Sequence, residues 1–93
     1  MTTGVVYSRR AAAEAEEIEA FLAEHSRSAA ERLRQSLNRA EQRLVQFPDS
    51  GAPGARPGTR RLVVGNYIVS YRRRGDDVEI FAVRDARRRD ARF

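Results

Sequence analysis

Arginine is the residue of this chain best placed to do chemistry. All 18 basic residues are Arg, with no Lys, against 13 acids and one histidine, His25. Guanidinium groups hold and neutralise anions, whether carboxylate or phosphate. A GC-rich genome produces such a bias by itself, so the positions matter more than the choice of arginine. Residues 1–47 hold 7 Arg and 7 Glu, net 0; residues 48–93 hold 11 Arg and 6 acids, net +5. That asymmetry points to a polyanionic or acidic partner for the second half. The single His25 rules out a two-histidine metal site and leaves histidine-based catalysis resting on one residue. Cysteine is absent, which excludes a disulfide framework, a thiolate zinc site and a cysteine nucleophile. No cofactor is expected.

Particular positions stand out. Arg60 and Arg61 open a β-prone run, where they either contact an acidic partner or guard a solvated edge strand against aggregation. Tyr67 and Tyr71 lie four residues apart on one strand face. Both suit core packing with hydroxyls at the rim, and Tyr71 also joins the candidate binding surface. Arg72-Arg73-Arg74 reads as a phosphate-binding cluster or as a solvated strand end. Arg84 closes the last β-prone run. Beyond it, Asp85 to Phe93 carries four Arg against two Asp. There Asp85, Arg87, Arg88 and Arg89 fit either a contact with an acidic partner or a solubilising tail, helical or disordered.

The elements that must position these residues follow from periodicity. Val5-Val6-Tyr7 is a short β-prone stretch. From Ser8 the composition turns to Ala, Glu, Leu and Arg, and Ala11, Ala15, Ile18, Leu22 and His25 recur at spacings of 4, 3, 4 and 3, with Phe21 widening the stripe. That period is one face of a helix. Ser28-Ala29-Ala30-Glu31 fits a capping box and predicts a second helix starting at Ser28. Its stripe is Ala30, Leu33, Leu37, Ala40, Leu44 and Phe47, and Pro48 ends it. So short a break between helices predicts an antiparallel hairpin.

Residues 48–59 contain all three prolines and three of the six glycines, and read as an irregular loop. Arg60–Val64 and Tyr67–Arg73 flank Gly65-Asn66, a two-residue hairpin turn; a third strand runs from Val78 to Arg84. Three meandering strands need a cover on one face, and the two helical stripes supply it. The expected fold is α+β in the order β-α-α-β-β-β, one domain over 1–93, with the first strand at the sheet edge. No apolar run approaches the roughly 18 residues of a membrane span, and no basic-then-apolar leader opens the chain, which predicts a cytoplasmic protein.

Read in order, the pieces resemble the RelE/ParE superfamily of bacterial type II toxins, the ParE branch in particular. The resemblance runs over about residues 5 to 90. It rests on Tyr-Ser-x-x-Ala after the first strand, Glu-Glu-Ile, Ala-Ala-Glu-Arg-Leu closing on Phe-Pro-Asp-Ser-Gly, Arg60-x-Leu62, Tyr67-x-x-x-Tyr71-Arg72, and Val83-Arg84. It implies a small toxin neutralised by a cognate antitoxin in a hetero-oligomeric complex. RelE-type members cut mRNA on the ribosome without metal; ParE-type members share the fold and act on DNA gyrase.

The nuclease chemistry needs basic residues for the phosphate and a C-terminal Tyr or His as proton acceptor. Arg61 and Arg87 fall near the family's basic positions, but Phe93 stands where the tyrosine would be and His25 is far along the chain. The inventory therefore favours a gyrase-binding toxin without catalytic residues. A ribosome-dependent mRNA endonuclease is the alternative, and a basic nucleic-acid-binding module without toxicity a third reading. Arg84, by the same resemblance, faces the sheet's concave side. The antitoxin is expected to bring an acidic amphipathic helix or an added strand to Arg60, Arg61 or Arg72.

Overall fold

Two serines set the helical layer. Ser8 is extended (φ −65°, ψ 162°), and its hydroxyl accepts a hydrogen bond from the Ala11 amide at 3.0 Å, starting α1, Arg9–His25. Ser26 is extended too (φ −163°, ψ 115°); its own amide donates to the Leu22 carbonyl while its hydroxyl accepts from Ala29. One residue thus closes α1 and opens α2, Arg27–Gln46. The capping box expected at Ser28 is corrected: Ser28 already lies in the first turn, with its hydroxyl 3.1 Å from that of Ser26.

This computed structural model describes residues 3–87, in the order β1 (Val5–Tyr7), α1, α2, β2 (Ala52–Pro53), β3 (Thr59–Val64), β4 (Tyr67–Arg74) and β5 (Asp77–Asp85). The strands form one mixed sheet in the order β1-β5-β4-β3-β2. The α+β architecture stands as expected, with two additions. β1 joins the edge parallel to β5, Val5 opposite Val78 and Tyr7 opposite Ile80. Inside the loop expected to be irregular, β2 pairs with Arg60 and Arg61. Pro53 is tolerated there because an edge strand can spare a donor.

The β3–β4 turn falls at Gly65-Asn66, with Gly65 at φ +58°, a conformation glycine adopts without a Cβ clash. Farther along, β4 and β5 slip register. Ser70 faces Ala82 while Tyr71 faces Ile80, which leaves Phe81 as an extra residue.

The core lies between the helices and one sheet face. Ala11, Ala40 and Leu44 pack with Val69, Tyr71, Val78, Ile80 and Val83, all fully buried, and Ile18, Leu37, Leu62 and Val64 close its margin. Leu33 is buried as well. Two expected members are corrected: Phe21 is 63% exposed and Phe47 is 59% exposed. Phe21 sits on the far side of the α1 stripe, with its ring 4.8 Å from that of His25. Phe47 lies just past α2 (φ −133°, ψ 74°), where the approach of Pro48 takes the backbone out of the helix and off the stripe.

Candidate functional site

Strand alternation separates the neighbouring arginines of β3. Arg60 lies opposite Tyr71 and Arg61 opposite Ser70, so their side chains leave opposite faces of the sheet. On the helix side, the Tyr71 hydroxyl accepts a hydrogen bond from the buried Gly51 amide at 2.8 Å. Gly51 returns its carbonyl to the Arg60 guanidinium, also at 2.8 Å. A Cβ at Gly51 would stand 2.6 Å from the Arg61 carbonyl and 2.7 Å from the Tyr71 hydroxyl, so only glycine lets the loop sit this close. Tyr71 is fully buried. It packs in the core, but the hydroxyl expected at the rim is corrected: it is buried against Gly51, so Tyr71 supports the surface from beneath.

Over this floor lies a hollow of about 420 Å³ lined by Asp49, Pro53, Gly58, Thr59, Arg60, Arg72 and Arg73. Arg60, Arg72 and Arg73 line it with one acidic residue among the described residues, Asp49, whose carboxylate oxygen stands 3.9 Å from Arg60, so the lining is basic. Arg72 is held from the neighbouring strand. Its Nε and Nη2 donate to Glu79 Oε1 at 3.0 and 2.9 Å, and its guanidinium stands 5.6 Å from the centre of the Phe81 ring. Arg74 donates to the other Glu79 oxygen at 2.8 Å. The bond from Arg72 is the main cause holding the Glu79 carboxyl below the usual carboxylate range; burial pushes it the other way, and Arg74 adds to the lowering. Glu79 thus serves as the anchor for two surface arginines.

The other predicted residues lie elsewhere. Arg84 meets Glu14 of α1 at 3.1 Å, and both side chains are mostly buried. The second Glu14 oxygen accepts the Val83 amide at 3.0 Å, past the point where β1 stops pairing with β5. Arg84 is therefore a tie between helix and sheet. Asp85 grips Arg87 at 2.6 Å and accepts its backbone amide. Both sit by the β3–β4 turn, since Tyr67 faces Asp85 and Ala86 donates to the Asn66 carbonyl. Tyr67 and Arg72 are five residues apart on β4, roughly 17 Å at the strand rise. The expected surface is thus divided between the two ends of the sheet. Arg88 and Arg89 lie outside the described residues. Reading the sequence did not single out Glu14, Glu79 or Gly51, because their partners come from other elements.

Two groups that could move a proton, Tyr7 and His25, are engaged in hydrogen bonds. The Tyr7 hydroxyl donates to Glu41 at 2.7 Å, and burial, then that bond, push its pKa well up. Burial also raises Tyr67, with the Asp85 charge adding to it. His25 is exposed at the helix junction, its Nδ1–H donating to the Phe21 carbonyl. Among the described residues no group of three or more His, Cys, Asp or Glu could hold a metal, and no helix is long and apolar enough to cross a membrane.

Comparison with known proteins agrees with this architecture. A solved structure from P. aeruginosa, the "Chromosomal ParDE TA system", superposes with a TM-score of 0.74 at 22% identity, covering 89% of this chain and 95% of that one. That likeness shows the fold. No curated protein sequence matches. The family model described as "ParE toxin of type II toxin-antitoxin system, parDE" matches residues 5–90, nearly the whole chain. The chain belongs to the ParE toxin family of type II toxin–antitoxin systems.

Proposed function

We propose that this toxin inhibits DNA gyrase by binding it, without catalysing a reaction, and that a cognate antitoxin neutralises it in a cytoplasmic hetero-oligomeric complex. The observation that carries the reading is the division of labour between residue types. Tyr71 and Tyr7 spend their hydroxyls on Gly51 and Glu41, and His25 is tied to the α1 backbone, whereas Arg60, Arg72 and Arg73 line a basic hollow. Such a site grips an anionic surface through charge-assisted hydrogen bonds. The antitoxin reading rests on the same charge: an acidic segment contacting Arg60, Arg61 or Arg72 would cover groups the target needs.

The test is to induce the toxin in cells and follow DNA supercoiling and mRNA integrity together. The proposal expects altered supercoiling with intact mRNA, and rescue on co-expression of a neighbouring antitoxin frame. Codon-periodic mRNA cleavage with normal supercoiling would overturn it in favour of ribosome-dependent RNA cutting. Arg72→Gln with Arg73→Gln should reduce toxicity while the fold persists. Antitoxin affinity should fall as salt rises, because contacts between exposed charges are screened within about 10 Å at 0.1 M.

A further inference from the structure

A second cleft lies at the opposite end of the sheet from the basic hollow. It measures about 410 Å³, within the roughly 300–1,000 Å³ usual for small-molecule sites, and opens between α2 and the β3–β4 turn. Its lining is sorted by chemistry. Leu22 and Ala29 make an apolar wall. Gln35 and Asn66 offer amide donors and acceptors. Arg32 and Arg39 from α2 and Arg87 from the turn after β5 supply three arginines, and among the described residues no acidic side chain lines the cleft.

Two of the arginines are pre-positioned. Arg39 is steadied by the Ser36 hydroxyl at 3.3 Å, and Asp85 fixes Arg87 through its Nε and Nη2. The backbone bond from Ala86 to Asn66 brings Arg87 to the turn. The Tyr67 side chain, 7% exposed, lies beside this cluster, where Arg32 and Arg87 act on it electrostatically against Asp85. Gly65 leaves the floor open and close to α2: a Cβ there would stand 2.9 Å from the Ser36 hydroxyl.

We propose that this cleft binds a mononucleotide, with the phosphate held by Arg32, Arg39 and Arg87 and the nucleoside lying against Leu22 and Ala29 within reach of the Gln35 and Asn66 amides. Guanidinium groups suit phosphate oxygens through paired donors, and side-chain amides suit the edge of a base. The apolar wall explains why a nucleoside monophosphate, and not phosphate alone, fits the space.

Isothermal titration of the purified toxin with AMP, GMP and inorganic phosphate tests the assignment. At least one mononucleotide should bind tenfold or more tightly than inorganic phosphate. Arg32→Gln and Arg39→Gln, both exposed on α2, should each weaken that binding at least tenfold with the thermal midpoint unchanged. Arg73→Gln removes the same charge from the other basic hollow and should leave the affinity as it was. Equal losses in all three variants would mean general attraction to a basic protein and would overturn the site. Equal affinity for phosphate and nucleotide would overturn the nucleoside contacts, and absence of binding would overturn the whole assignment. Because none of these readouts involves gyrase or toxicity, the outcome is independent of the proposed target.

Discussion

Removing one oxygen should show how far the loop depends on the sheet. In Tyr71→Phe the ring volume stays, so no cavity opens, but the Gly51 amide loses the acceptor 2.8 Å away inside a buried contact. A buried donor left without a partner costs about 1–3 kcal/mol. In a domain of this size each kcal/mol moves the thermal midpoint by about 4–8 °C, so a fall of roughly 5–20 °C is expected. Hydrogen exchange should accelerate at Gly51, and Arg60 should loosen because its anchor is the Gly51 carbonyl. Gly51→Ala gives a sharper form of the test. Its Cβ would meet the Arg61 carbonyl at 2.6 Å and Tyr71 Cε1 at 2.9 Å besides the hydroxyl at 2.7 Å. Taking the hydroxyl away relieves only one of those three clashes, so Tyr71→Phe should not rescue Gly51→Ala in a double-mutant cycle. A wild-type midpoint in Tyr71→Phe, or full rescue in the double variant, would refute the reasoning.

Other expected outcomes follow from the same packing. Leu44→Ala, at a fully buried site, should cost about 2–5 kcal/mol, and Leu37→Ala at the core margin should cost less; urea unfolding of both reads the order. Glu79, with its pKa lowered from 4.5, contributes stability that is present above that ordinary value and lost as pH falls through the lowered one. Glu79→Gln should flatten the acid limb of the stability profile. Tyr7, with its pKa raised from 10.0, contributes stability that is present below pH 10 and lost as pH climbs toward the raised value. Tyr7→Phe should remove that alkaline loss, which thermal scans between pH 9 and 11 would record. Glu14→Ala strips the acceptor from the Val83 amide and a partner from Arg84, so it should cost about 1–3 kcal/mol and speed exchange at Val83.

Much of the fold was legible in the chain because its determinants are local. Spacings of three and four define the helical stripes, Pro48 marks the end of α2, and Gly65-Asn66 marks the β3–β4 turn. The ordered motifs from Tyr7 to Arg84 were also enough to point to the family that the comparison established. Local signals misled at the margins: Ser26 outcompetes Ser28 as the cap because it can serve both helices, and Phe47 leaves the stripe where the helix ends.

The site depended on three dimensions. Glu14 and Val83 are 69 positions apart, and Gly51 and Tyr71 are 20 apart, so no spacing rule announces either contact. The arginines looked like one basic half because sequence records charge along a line. Strand register sends Arg60 and Arg61 to opposite faces, the length of β4 parts the Arg72 hollow from the Arg87 cleft, and Glu14 draws Arg84 into a structural pair. Arginine identity was set by sequence alone; which arginines meet each other, and which meet an acid first, was decided by how the helices and strands pack.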